Sequence, residues 1–204
     1  IGQWRQPFGM DNLNSVRELT FLERPLIFAF APFRQTGIGF HNTNEDQTVT
    51  WAFSGFRFPA DFFGGIGSPG GIGNLGDRGY GLAGRVTGVL LKDSADSGAL
   101  VHIGADYSYI SPGGHTSHYR NVPEYGGPFV GPDGTAGSIP FFIDTGAIPA
   151  NHVNLYNAEI GARHGSLYGQ GEATYAIIQD MSGNSLSLPG AYGQVGYFLT
   201  GEER

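Results

Sequence analysis

The stretch Leu100-Val101-His102-Ile103-Gly104-Ala105-Asp106-Tyr107-Ser108-Tyr109 alternates between two kinds of side chain. Val101, Ile103, Ala105, Tyr107 and Tyr109 fall on one face, and His102, Asp106 and Ser108 on the other. Successive side chains of a strand point to opposite faces, so this is a strand with one apolar and one wet side. The same rhythm runs through 166–178, with Leu167, Ala173, Tyr175 and Ile177 opposite Tyr168, Gln170, Glu172 and Thr174. In 153–163, Tyr156, Ala158, Ile160 and Ala162 oppose Asn157, Glu159 and Arg163, and in 80–91, Tyr80, Leu82, Val86 and Leu90 oppose Arg85 and Thr87. Further strands are predicted near 1–8, 34–41, 48–58 and 190–200. The phase of 48–58 stays open, because Trp51 and Phe53 share a face with Arg57.

Composition agrees with β-structure and removes other classes. The 204 residues include 35 glycines, with 13% aromatic and 14% charged residues and no cysteine. Disulfide scaffolds and thiolate metal sites are therefore excluded. A formal charge of −7, with Lys92 the single lysine, argues against a nucleic-acid partner. No run approaches the ~18 apolar residues of a membrane-spanning helix. The chain opens and closes without a leader or terminal signal, as an internal piece of a longer protein would.

The connections read as 9–33, 42–47, 59–79, 92–98, 112–152, 164–165 and 179–189, long and short in alternation. In an up-and-down antiparallel sheet this places every long loop at one end. Outer-membrane barrels are built that way, with strands of ~9–11 residues. Tyr80, Tyr107, Tyr109, Tyr156, Tyr175, Phe56 and Phe58 cluster toward the long-loop end, as an aromatic girdle does at the headgroup level. The expected fold is all-β: an antiparallel up-and-down transmembrane β-barrel segment of about eight strands, spanning 1–204 as one unit. Closure follows from the solvent, since hydrocarbon offers no partner to an open sheet edge. The polar face then lines water, with Arg85, Arg163, Glu159, Glu172, Gln170, His102 and Asp106 as candidate pore-lining residues.

Three motifs carry a family resemblance. Gly2-Gln3-Trp4-Arg5-Gln6-Pro7-Phe8-Gly9 resembles a strand end of the phosphate-selective porin O and P family. Phe21-Leu22-Glu23-Arg24-Pro25, followed by Ala29-Phe30-Ala31-Pro32 with Arg34 and Gly37, resembles the family's Phe-x-Glu-Arg element. Tyr192-Gly193-Gln194-Val195-Gly196-Tyr197-Phe198-Leu199-Thr200-Gly201-Glu202 is similar to its late strand. The resemblance implies a bacterial outer-membrane porin, commonly a sixteen-stranded barrel and often a homotrimer, of which this segment supplies about half. It implies passive passage of small hydrophilic solutes, anions such as phosphate among them, with no cofactor. Arg24 and Arg34 match motif positions, and Arg5 falls on the family's basic position. Mixed charge on the lumen face, Arg85 and Arg163 beside Glu159 and Glu172, suits a general or weakly selective pore.

The 9–33 stretch is too apolar for a solvated loop at Phe21, Leu22, Leu26, Ile27 and Phe28, and holds one or two helical turns capped by Asp11 or Asn12. Two placements are open. The loop docks inward, with a Glu23–Arg24 pair narrowing the pore, or it is a lid on neighbouring loops or another subunit. Gly65-Ile66-Gly67-Ser68-Pro69-Gly70 has dinucleotide-loop spacing without a following helix, and reads as a loop. Asp133-Gly134 is an ordinary turn pair. His115-Thr116-Ser117-His118 lacks the ligands zinc needs, with Asp106 and Glu124 at no recognisable spacing. Ser108, His102 and Asp106 share a face, but positions four apart on a strand lie ~13 Å apart, too far for a catalytic triad. No enzyme activity is expected. The competing classes are a soluble all-β carbohydrate-binding module, whose apolar faces would form a core, and a non-conducting structural barrel.

Overall fold

The computed structural model describes residues 1–21, 24–58, 79–93, 98–121 and 143–201. Eight strands form one sheet: β1 (Gly2–Arg5), β2 (Arg34–Thr43), β3 (Val49–Arg57), β4 (Tyr80–Lys92), β5 (Leu100–Ser111), β6 (His152–His164), β7 (Leu167–Gln179) and β8 (Ser185–Tyr197). Their spatial order is their chain order, and every neighbouring pair is antiparallel. The sheet is therefore up-and-down throughout. Among the described residues the outer edges of β1 and β8 are not joined, so the sheet does not close on itself.

The apolar face looks outward. Tyr156 and Ile160 are 46% and 53% exposed, and Tyr80, Leu82, Val86, Ile103, Tyr107 and Tyr175 are exposed in the same phase. Cross-strand register places Phe40, Phe53, Gly84, Tyr107, Tyr156 and Tyr175 in one row across six strands. Tyr107 and Tyr156 stand 5.3 Å apart, and Tyr80 and Tyr109 6.3 Å apart, on the long-loop side. A soluble sandwich would cover this face with a second layer. Here the apolar face stays bare and the polar row lies on the covered side, as expected of a barrel wall with lipid outside.

Trp51 and Phe53 take the outward phase with Arg57, whereas Phe56 and Phe58 point inward and are buried. These two rings are therefore not part of the girdle. They meet edge-to-face at 5.5 Å within a core formed by the long-loop half of the inner face. Ile110, Val153, Leu155 and Ile178 supply its wall, and Phe8, Ile27, Phe28, Phe30 and Tyr119 cover it from the connections. Burial pushes the Tyr119 phenol above its ordinary range.

The expected loop 179–189 is shorter than its composition suggests. Residues 180–184 make a tight turn, and β8 starts at Ser185 instead of near 190. Asp180 Oδ1 accepts from the Ser182 and Asn184 amides, and Gly183 takes φ 86°. Pro189 is tolerated because β8 is an edge strand, paired only to β7 among the described residues. The long–short alternation of connections thus fails at its last member.

Candidate lumen site and constriction

The inner wall of β4–β7 is a continuous polar layer, and register explains how it forms. Arg85, Asp106, Asn157 and Thr174 are successive cross-strand partners, and Thr87, Gly104, Glu159 and Glu172 make the next row. Gly104 leaves room for its partner, because a Cβ there would lie 2.6 Å from Glu159 Oε1. Arg85 donates from Nε to Glu159 Oε2 at 3.2 Å and through Nη2 to Oε1, and its Nε lies 3.3 Å from Asp106 Oδ1. His102 Nε2 lies 2.8 Å from Glu159 Oε1.

Onto this wall the 6–33 connection folds inward. Gln6 begins the descent: its Nε2 donates to the Trp4 and Gln35 carbonyls, and its Oε1 accepts from Ser54 Oγ at 2.7 Å. A single helical turn follows, α1 (Met10–Leu13). Neither Asp11 nor Asn12 caps it, since both lie inside the turn and the cap position is Gly9, at φ 76°. The wall supplies the cap. Glu172 accepts from the Met10 amide through Oε2 and from the Asp11 amide through Oε1, each at 2.8 Å. Asp106 Oδ2 accepts from the Gly9 amide at 2.8 Å. The first amides of a helix lack internal partners, and carboxylates suit them in both hydrogen bonding and dipole.

Asn157 links the two acids, donating through Nδ2 to Asp106 Oδ2 and Glu172 Oε2 and accepting from Thr174. Tyr192 donates to Glu172 Oε1, and Gln170 donates to Tyr192. The other end of the turn is held by two arginines. Arg5 Nη1 reaches the Asn12 and Asn14 carbonyls at 2.9 and 2.6 Å. Arg24 donates to the Asn14 carbonyl at 2.9 Å and to Asp11 Oδ2 at 3.2 Å. The described partner of Arg24 is thus Asp11, while Glu23 of the expected pair lies outside the described residues. Farther along, Thr20 meets Tyr168 and Gln194, and Ile27 and Phe30 crowd Gly190, where a Cβ would come within 2.8 and 3.1 Å of them.

The sequence-derived candidates divide by placement. Arg85, His102, Asp106, Glu159, Gln170 and Glu172 come together on the inner wall, and Arg163 is half-buried on the same face. Arg5 and Arg24 clamp the docked turn. Arg34 is the cross-strand partner of Arg5, and the two guanidiniums lie 5.8 and 5.4 Å from the Phe33 ring centroid. Gln6, Gly9 and Asn157 were missed. Asn157 was readable as wet-face, but nothing local showed it would join two acids from neighbouring strands.

The remaining motifs resolve separately. Ser108 donates to the Leu82 carbonyl, His102 faces Glu159, and Asp106 serves Gly9 and Asn157, so the three make no relay. His118 Nε2 pairs with Asp144 Oδ1, and Thr116–Ser117 pairs with Ile148–Pro149. Gly65–Gly70, Glu124 and Asp133-Gly134 lie outside the described residues.

The sequence pattern of the phosphate-selective porin O and P family matches residues 1–204, the whole chain. The chain belongs to that family. It is therefore an outer-membrane porin, of a family of channels and not of enzymes. No match is found among curated proteins. No helix among the described residues is long and apolar enough to cross a membrane. Along β2–β4 lies a cleft of about 440 Å³ lined by His41, Asn42, Thr43, Thr50, Trp51, Ala52 and Arg85.

Proposed function

We propose that this porin passes small hydrophilic solutes along the β2–β4 side of its lumen, past the docked turn, with a preference for anions such as phosphate. The observation that carries the reading is the burial of the wall acids. Asp106, Glu159 and Glu172 are 5%, 4% and 5% exposed, engaged by backbone amides, Arg85 and His102. A solute in the open cleft meets imidazole, hydroxyl, amide and indole groups beside the paired Arg85 guanidinium, while the carboxylates that a mixed lumen would present are covered. Arg85 is already paired with Glu159 and Asp106; Arg5, whose guanidinium holds the Asn12 and Asn14 carbonyls at the neighbouring cleft, keeps its charge for a passing anion, an attraction screened by salt. In this reading residues 1–204 are one continuous barrel segment, completed by further strands into the wider barrel, and the assembly is a homotrimer.

Planar-bilayer recording tests it. The porin is expected to give discrete conductance steps, a reversal potential in a KCl gradient set toward chloride, and a current reduced by added phosphate. A cation-directed potential overturns the anion preference, and a folded, inserted protein without steps overturns the channel and favours a structural barrel.

A further inference from the structure

We infer that Asp106 and Glu172 are positioning residues for the constriction: they latch the Gly9–Asp11 turn through its backbone amides, and the latch keeps their own charge away from the permeating ion. The inference rests on the channel reading and adds to it a cause of selectivity. The three bonds, Gly9 N to Asp106 Oδ2, Met10 N to Glu172 Oε2 and Asp11 N to Glu172 Oε1, are all 2.8 Å long. Glu172 presents one oxygen to each of two successive amides, which an amide side chain of equal size cannot do, since its oxygen accepts but its NH2 group donates. The charged and titratable neighbours are Arg85 on β4, His102 on β5, Glu159 on β6 and Tyr192 on β8, with Asp11, Arg5 and Arg24 on the docked segment. The arginines hold the carbonyl end of the turn and leave its amide end to the two wall acids. Undocking the turn therefore does two things at once: it widens the path and uncovers two carboxylates.

That coupling separates a latch from mere packing, because damage on either side of the bonds has different consequences for selectivity. On the loop side, Gly9→Ala places a Cβ 3.2 Å from Glu172 Oε2 at a φ of +76°, which side chains other than glycine's rarely adopt. Met10→Pro removes one amide at the first helical position, where proline is otherwise well accepted. Neither changes a charge. Both are expected to raise single-channel conductance and move the reversal potential toward cations. On the wall side, D106N/E172Q is expected to raise conductance without the cationic shift, and to abolish that shift when combined with Met10→Pro. Loop-side variants with wild-type conductance and potential, or a cationic shift that survives in D106N/E172Q, overturn the inference.

Hydrogen exchange of the wild-type porin in micelles provides an arm that needs no variant. The amides of Gly9, Met10 and Asp11 are expected to exchange as slowly as those of β6, and exchange at the rate of an open loop overturns the latch. A wild type that shows protected amides but no conductance leaves the latch standing and removes the channel reading.

Discussion

Arg24 illustrates how a single side chain fixes a loop that its own neighbours do not hold. Its guanidinium spans the Asp11 carboxylate and the Asn14 carbonyl, and lies 5.2 Å from the Phe28 ring centroid. Arg24→Ala is expected to cost about 1.5–3 kcal/mol, the usual range for charge-assisted hydrogen bonds, and to speed proteolysis within 6–33. Arg24→Lys should recover part of this, since one ammonium cannot match the planar fork. Unchanged cleavage of the alanine variant would contradict the clamp. Asp180 acts within a tight turn between strands. The Asn184 side chain and the amides of Asn184, Ser182 and Gly183 hold its carboxyl below the usual range. A depressed folded pKa gives stability present above the unfolded value and lost as pH falls through the folded one. The Tm gap between wild type and Asp180→Ala is therefore expected to be full above about pH 5 and to shrink below about pH 4, near the unperturbed aspartate value. A gap independent of pH would show that the carboxylate charge plays no part in the turn. At this scale the sequence was least legible. Asp11 and Asn12 have good capping chemistry, yet the caps came from Asp106 and Glu172, about a hundred residues and more away in the chain. No local pattern encodes a bond whose partner arrives only when β5 and β7 align.

Strands were far more legible, because period two needs only the residues themselves. β5, β6 and β7 lie within three residues of their expected bounds, with the expected faces outward. The failures have two causes. In β3 the inner face becomes apolar near the long loops, so Phe56 and Phe58 blur the alternation that Ser54 and Thr50 would otherwise show. In β8, Ser185 to Gly190 has loop composition, but an edge strand forgives Pro189. The phase itself is open to a paired substitution. Ile160 is central in β6 and outward, whereas His41 on β2 faces the lumen side. Ile160→Arg is expected to lower folding stability in lipid vesicles by about 2–4 kcal/mol, the range for a cation at the lipid midplane of a barrel. His41→Arg adds the same chemistry in water and should change stability by no more than about 0.5 kcal/mol, like an ordinary surface substitution. Denaturant titration of both in the same vesicles makes the comparison, and equal losses would refute the assigned phases.

For the molecule as a whole, the chain supplies a reporter for each side of the wall. It has two tryptophans. Trp51 lies outward on β3 and is exposed, in the phase of Val49 and Phe53. Trp4 lies inward on β1, where a Cβ on Gly39 would come within 2.8 Å of its ring. With lipid on the apolar side, quenchers confined to different solvents must separate the two rings. In Trp4→Phe, the remaining Trp51 is expected to be quenched by lipids brominated along the acyl chain and little affected by aqueous iodide. In Trp51→Phe, the remaining Trp4 should resist the brominated lipid. Iodide is drawn toward cationic groups, so its access to Trp4, beside Arg5, also reports the sign of the local field. Undocking the turn by Gly9→Ala should uncover the wall carboxylates and weaken iodide quenching of Trp4 relative to a neutral quencher such as acrylamide. Brominated lipid quenching Trp4 while sparing Trp51 would turn the wall inside out. The lumen, the constriction and the anion route would then all be assigned to the wrong side.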